Sequence, residues 1–172
     1  MSYKETIDII SKKNKVILSK EDKDNIYSTK KRILNEIFNF EIYEGILNFL
    51  KELKNLNLKL AIVTGANKEF AEKILNNYFS NIFDIIITGN DVKNGKPSPE
   101  PYLKATKKLN IKANNLIVIE NAPLGIQSAK SAGLNVLAIE TTLKKENLKL
   151  ADKIFKNHKE LFDYIRNKFN KK

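Results

Sequence analysis

Cysteine is missing altogether. Disulfide staples and thiolate nucleophiles are thereby excluded, and a cytoplasmic location follows only as the default expectation. Long hydrophobic runs are missing too: "LKLAIVTG" and "FDIIITG" are the richest apolar stretches, and both are far too short to span a bilayer. The opening "MSYKETIDII" carries charges and no extended apolar core, so it does not read as a signal peptide. Arginine is scarce, with Arg32 and Arg166 standing far apart, and this removes the clustered bidentate donors expected of a base-reading face. What abounds is lysine. Lys and Arg number 31 against 20 Asp and Glu, for a net charge of +11. The lysines are scattered as "KK", "KKRI", "KKEN" and "NKFNKK", usually broken by Asn, Glu or Leu. A solvated basic surface accounts for them, neither nucleic acid nor membrane is expected as a partner, and an anionic small substrate suits the charge equally well.

A chain of 172 residues with 42% hydrophobic content has room for one cored domain and a small appendage. Residues 1–40 read as helical. Ser19 is a candidate N-cap, with Glu21 and Asp22 in the first turn and Ile26, Ile33, Leu34, Ile37 and Phe38 at helical spacing. That apolar face is narrow and needs something to lie against, while "KVIL" at 15–18 fits either a short strand or a helix end. From residue 41 the pattern becomes a repeat. The helical stretches "EGILNFLKELKNLN", "NKEFAEKILNNYF", "SPEPYLKATKKLN" and "PLGIQSAKSAG" alternate with the buried-strand stretches "LKLAIVT", "FDIIITG", "NLIVIE" and "NVLAIE". Ser98 and Pro99 mark a helix start and Gly133 a helix end. A short strand "KIF" and a helix "HKELFDYIRNKF" follow. Such alternation predicts a parallel sheet covered by helices on both faces, with ligands held beyond the carboxyl ends of the strands.

Two strand ends and one loop then draw attention. In "VTGAN", Thr64 offers a hydroxyl, and Gly65 and Ala66 offer backbone N–H groups to an anion such as phosphate; equally, Thr64 could do no more than end the strand. In "VIENAP", Glu120 and the amide oxygen of Asn121 supply hard oxygen ligands suited to Mg²⁺; the bland alternative is a turn with Glu120 in solvent. In "GKPSPEPY", Lys96 sits on a backbone held by glycine and prolines, placed to offset phosphoryl charge or to hold carboxylates.

"AIVTGAN", "GKPSPEPY" and "VIENAPLGIQSAKSAGL", in this order and spacing, resemble the second, third and fourth motifs of the haloacid dehalogenase-like phosphohydrolases, nearest the β-phosphoglucomutase and phosphoglycolate phosphatase subgroup. The resemblance covers roughly residues 19–157. It implies a Rossmannoid three-layer α/β sandwich (residues 41–172) preceded by a remnant of a helical cap (residues 1–40). It also implies that Thr64 binds the transferring phosphoryl group, with Gly65 and Ala66 beside it. Lys96 would stabilise that group, and Glu120 with Asn121 would serve a Mg²⁺ site, Asn121 standing where the family usually has aspartate. The substrate class implied is small phosphate monoesters or sugar phosphates.

The family's first motif, Asp-x-Asp-Gly-Thr at the end of an opening strand, supplies a nucleophile and a general acid–base. Here it is read as absent. The nearest segments, "EDKD" and "ITGND", are taken to lack both its spacing and its buried strand. The chain is therefore expected to be the C-terminal part of a phosphohydrolase. On that reading its core lacks the first strand, most of the cap is missing, and metal binding is weak or absent. Activity would depend on an aspartate-bearing segment that could be separately encoded; the alternative is a non-catalytic binder of a phosphorylated ligand or a protein.

Overall fold

Each β-branched apolar run after residue 41 becomes a short parallel strand walled by amphipathic helices. The computed structural model describes residues 3–36 and 41–169 and divides into two compact units, Met1–Ile42 and Tyr43–Lys172. Ile37 and Phe38, placed on the first helical face by their spacing, lie outside the described residues.

The first unit is a helix pair, α1 (Tyr3–Lys13) and α2 (Lys20–Glu36). Ser19 caps α2 as its sequence suggested: its hydroxyl accepts the Asp22 N–H at 3.1 Å, while the Asp22 carboxylate accepts the Ser19 N–H at 2.9 Å. "KVIL" is neither strand nor helix. Lys15 adopts a left-handed φ of 55° that ends α1, and the segment simply joins the two helices. A Lys23–Asp8 ion pair of 2.6 Å ties α2 to α1.

The second unit runs α3 (Ile46–Asn55), β1 (Ala61–Val63), α4 (Lys68–Tyr78), β2 (Ile85–Ile87), α5 (Glu100–Leu109), β3 (Ile117–Glu120), α6 (Pro123–Ser131), β4 (Asn135–Ile139), β5 (Lys153–Phe155) and α7 (His158–Phe169). All pairings are parallel, but they form two ladders: β1 with β2, and β3 with β4 with β5. Strand β4 shows why three layers form. Its residues alternate sides, as the pleat requires. Leu137 and Ile139 face Phe49 and Leu53 of α3 and Leu161, Phe162 and Ile165 of α7, whereas Val136 and Ala138 face Tyr102 of α5 and Ile126 and Ala129 of α6. Burying one such Leu or Ile side chain contributes about 1.5–3 kcal/mol.

Two aspartates pin the starts of strands. Asp84 accepts the Leu60 N–H at 2.8 Å and pairs with Lys54 of α3; Asp152 accepts the Val136 N–H at 2.7 Å and pairs with Lys130 of α6. Both carboxyls are held below the usual aspartate range, first by the lysine and then by the backbone N–H. Gly133, at φ 74°, closes α6, with Leu134 N–H returning to Ala129 O at 3.1 Å. No helix among the described residues is long and apolar enough to cross a membrane.

Candidate phosphoryl site

Lys96 sits in the loop between β2 and α5, and several local bonds fix that loop. Glu100, in the first turn of α5, accepts the Lys93 N–H at 2.7 Å and the Asn94 N–H at 2.9 Å. Those backbone donors, Lys93's first, hold the Glu100 carboxyl below its ordinary value. Ser98, expected as the N-cap, stands one residue outside the observed cap, Pro99; its hydroxyl accepts the Glu100 N–H at 3.3 Å, and its carbonyl accepts the buried Ser128 hydroxyl at 2.5 Å. Thr88 and Asp91 form a reciprocal cap at the loop's entry. The Lys96 side chain is thus delivered from a braced backbone.

From there it reaches the tips of both ladders. Its ammonium donates to the Val63 carbonyl at 3.0 Å, at the end of β1, and to Glu120 Oε1 at the end of β3. The pair is well shielded, with 17% of the Lys96 and 9% of the Glu120 side chain exposed. Glu120 has two further donors: the Tyr102 phenol to Oε1 at 2.7 Å, and the Asn121 N–H to Oε2 at 3.1 Å. Burial, reinforced by the adjacent carboxylate charge, pushes the Tyr102 pKa far above that of an ordinary phenol, so its hydroxyl is a donor at any working pH. Gly125, in the first turn of α6, lies so close that any Cβ there would collide with the Glu120 carboxylate. The bland reading of Glu120, a carboxylate in solvent, is excluded.

Thr64 follows Val63 directly, so its hydroxyl belongs to the same strand tip. That hydroxyl accepts the Ala66 N–H at 3.1 Å. The Ala66 donor is therefore engaged locally, and α4 starts at Lys68, capped by Asn67, rather than at Gly65. Gly65 is exposed, and its carbonyl leaves no room for a Cβ at Gly89, which would lie 2.8 Å away. Asn121 is exposed; its amide nitrogen donates to the Thr141 hydroxyl at 2.9 Å, which leaves the amide oxygen as its acceptor end. Among the described residues no group of three His, Cys, Asp or Glu could hold a metal. Yet Glu120 and Asn121 are hard oxygen donors, and one carboxylate with an amide suits a cation that completes its shell with water and substrate phosphate. Sequence reasoning missed Tyr102. Its signal was a hydroxyl-bearing ring on the buried face of α5, six residues after Lys96.

The second unit is a parallel α/β core with a lysine, a carboxylate and a threonine gathered at neighbouring strand tips. Residues 2–139 match the family model described as haloacid dehalogenase-like hydrolase, and this chain belongs to that family. It is 36% identical over 115 residues to validoxylamine A 7'-phosphate phosphatase of Streptomyces hygroscopicus subsp. limoneus, covering 66% of this chain and 54% of the relative. It is 33% identical over 113 residues to a phosphorylated carbohydrates phosphatase of Thermotoga maritima, covering 65% and 51%. The chain thus spans about half the length of the curated relatives it matches. Among solved structures, β-phosphoglucomutase of Clostridium difficile superposes with a TM-score of 0.83 at 30% identity, over 99% of this chain and 78% of that one.

These matches correct one expectation. The family match begins at residue 2, so the helical unit, with Asp8 and Asp22, lies inside the family region. The reading of a truncated C-terminal part, without the nucleophile motif and most of the cap, and inactive until a segment is supplied, does not stand. It went wrong at "EDKD", where Asp22 and Asp24 do have Asp-x-Asp spacing. It also sought aspartates only behind a buried strand, whereas the described front of the chain is helical. Within that unit Asp8 pairs with Lys23 and Asp22 accepts from Ser19, and both carboxyls are held low by those bonds.

Proposed function

We propose that this protein is a Mg²⁺-dependent phosphohydrolase acting on small phosphate monoesters or sugar phosphates. The observation that carries the reading is the shielded Lys96–Glu120 pair beside the Thr64 strand tip, inside a region that matches the hydrolase family. Two relatives named as phosphatases of phosphorylated carbohydrates or related compounds support the substrate class. A cytoplasmic setting accords with such a substrate.

In this reading Lys96 faces the equatorial oxygens of the phosphoryl group and offsets their charge as the bond to the leaving oxygen lengthens. The Thr64 hydroxyl and the Gly65 backbone orient the same group, and Glu120 keeps the ammonium from drifting. Glu120 Oε2 and the Asn121 amide oxygen would hold Mg²⁺, which when bound supplies further neutralisation of phosphate charge.

The test is hydrolysis of p-nitrophenyl phosphate and a panel of sugar phosphates by the purified protein with and without Mg²⁺. Lys96→Ala and Glu120→Gln should each lower kcat/KM by about 10²-fold or more. Phosphoenzyme trapping in Asp8→Asn, Asp22→Asn and Asp24→Asn variants would identify the attacking group. Turnover unaffected by both the Lys96 and the Glu120 change would place the chemistry elsewhere and overturn the reading.

A further inference from the structure

Tyr102 is 5% exposed, and a phenylalanine would fill its place in the core without a polar atom to satisfy. Instead its hydroxyl ends on Glu120 Oε1, the same oxygen that Lys96 holds. The ring also lies under the Lys96 ammonium, 5.0 Å from centroid to Nζ, so one side chain touches both members of the pair. Glu120 is thereby held by two donors on Oε1 and by the Asn121 N–H on Oε2, and its carboxylate lies in the space that a side chain at Gly125 would fill.

We propose that Tyr102 is a positioning residue of this site, fixing which oxygen of Glu120 binds Lys96 and which accepts the Asn121 N–H. The proposal rests on the reading of the site as one for phosphate and Mg²⁺, and it deepens that reading. With Oε1 committed to Tyr102 and Lys96, Oε2 is the oxygen left to serve a cation. The ammonium is held at the strand tips by the carboxylate on one side and the ring on the other. Removing only the hydroxyl leaves packing and the ring contact in place but lets the carboxylate turn. Loss of such a supporting bond typically costs 10–100-fold in metal affinity.

The experiment compares the wild type with Tyr102→Phe and Tyr102→Leu. Calorimetry measures inorganic phosphate and Mg²⁺ binding separately, with Lys96→Ala and Glu120→Gln as references. In parallel, the ¹⁵N–¹H resonance of the Lys96 ammonium, assigned through Lys96→Arg, is followed in the ligand-free protein. Tyr102→Phe is expected to stay folded, to weaken both ligands by about 10-fold, and to shift or broaden the Lys96 resonance. Tyr102→Leu should add a drop in Tm, which reports the loss of ring packing and of the ring–ammonium contact. An unchanged Lys96 resonance in Tyr102→Phe overturns the proposal whatever the affinities do, as do unchanged affinities in a wild type that binds. If the wild type binds neither phosphate nor Mg²⁺, the functional reading falls, and the resonance alone decides whether Tyr102 holds the pair.

Discussion

Lys96 keeps a charge mostly out of water, and its partner does the same. Taking one member away from such a pair leaves the other charge unpaired, which typically costs 3–5 kcal/mol, more than the pair itself contributes. Lys96→Ala is therefore expected to lower unfolding stability in urea by about 3 kcal/mol, and the double change Lys96→Met with Glu120→Gln should recover part of the loss. A double variant no more stable than Lys96→Ala would show that the charge is better solvated than the geometry implies. Gly125 makes a second residue-scale case. Its φ is not left-handed; the lack of a side chain matters because the Glu120 carboxylate occupies the space. Gly125→Ala should cost about 1–3 kcal/mol by overpacking and depress phosphate-ester turnover together with stability. Normal turnover in that variant would mean that Glu120 has another place to go.

At the scale of elements, the strands start where aspartates pin them. Asp84 and Asp152 each join a backbone N–H near the start of a strand to a lysine on a neighbouring helix, and both carboxyls are shifted down. The sign follows directly. Their stabilisation is fully present above the unfolded aspartate value near 3.8 and is lost as pH falls through the lower folded values. Stability should therefore decline below about pH 4, and Asp152→Asn should flatten part of that decline in acid unfolding curves. An unaltered acid limb would assign the acid sensitivity to other groups. The loop bearing Lys96 depends on a comparable clasp, since Glu100 gathers two backbone donors across it. Glu100→Ala is expected to lower turnover through loss of loop order with little change in the helix content seen by circular dichroism.

For the molecule as a whole, much was legible because helices and buried strands differ in period. The helical period of "NKEFAEKILNNYF" marked α4, and Pro99 marked the start of α5, but the period alone did not single out Ala71 and Leu75 as the most buried residues of α4. Phe49 is 1% exposed and stacks on Phe162 at 4.0 Å, but nothing local to "EGILNFL" distinguishes it from its leucine neighbours. Lys96 and Glu120 could be named in advance as candidates from their motifs. Their direct bond could not, because the partners lie 24 residues apart and meet only after the sheet has formed. The basic surface also has a measurable effect at this scale. With a net charge of +11, attraction of anionic esters should weaken as salt rises, so KM should increase several-fold between low and high ionic strength while kcat changes little. A KM indifferent to salt would leave the surface lysines a role in solubility alone.

The two ladders of the core are stitched at their tips by an ammonium rather than by strand pairing. A side chain that serves as a seam can also be drawn away. Any anion that recruits Lys96 competes with Val63 and Glu120 for its protons, so loading the crevice slackens the fastening that shapes it. Amide exchange along β1 should then quicken when inorganic phosphate is bound, while β4, ringed by packed helices, keeps its pace.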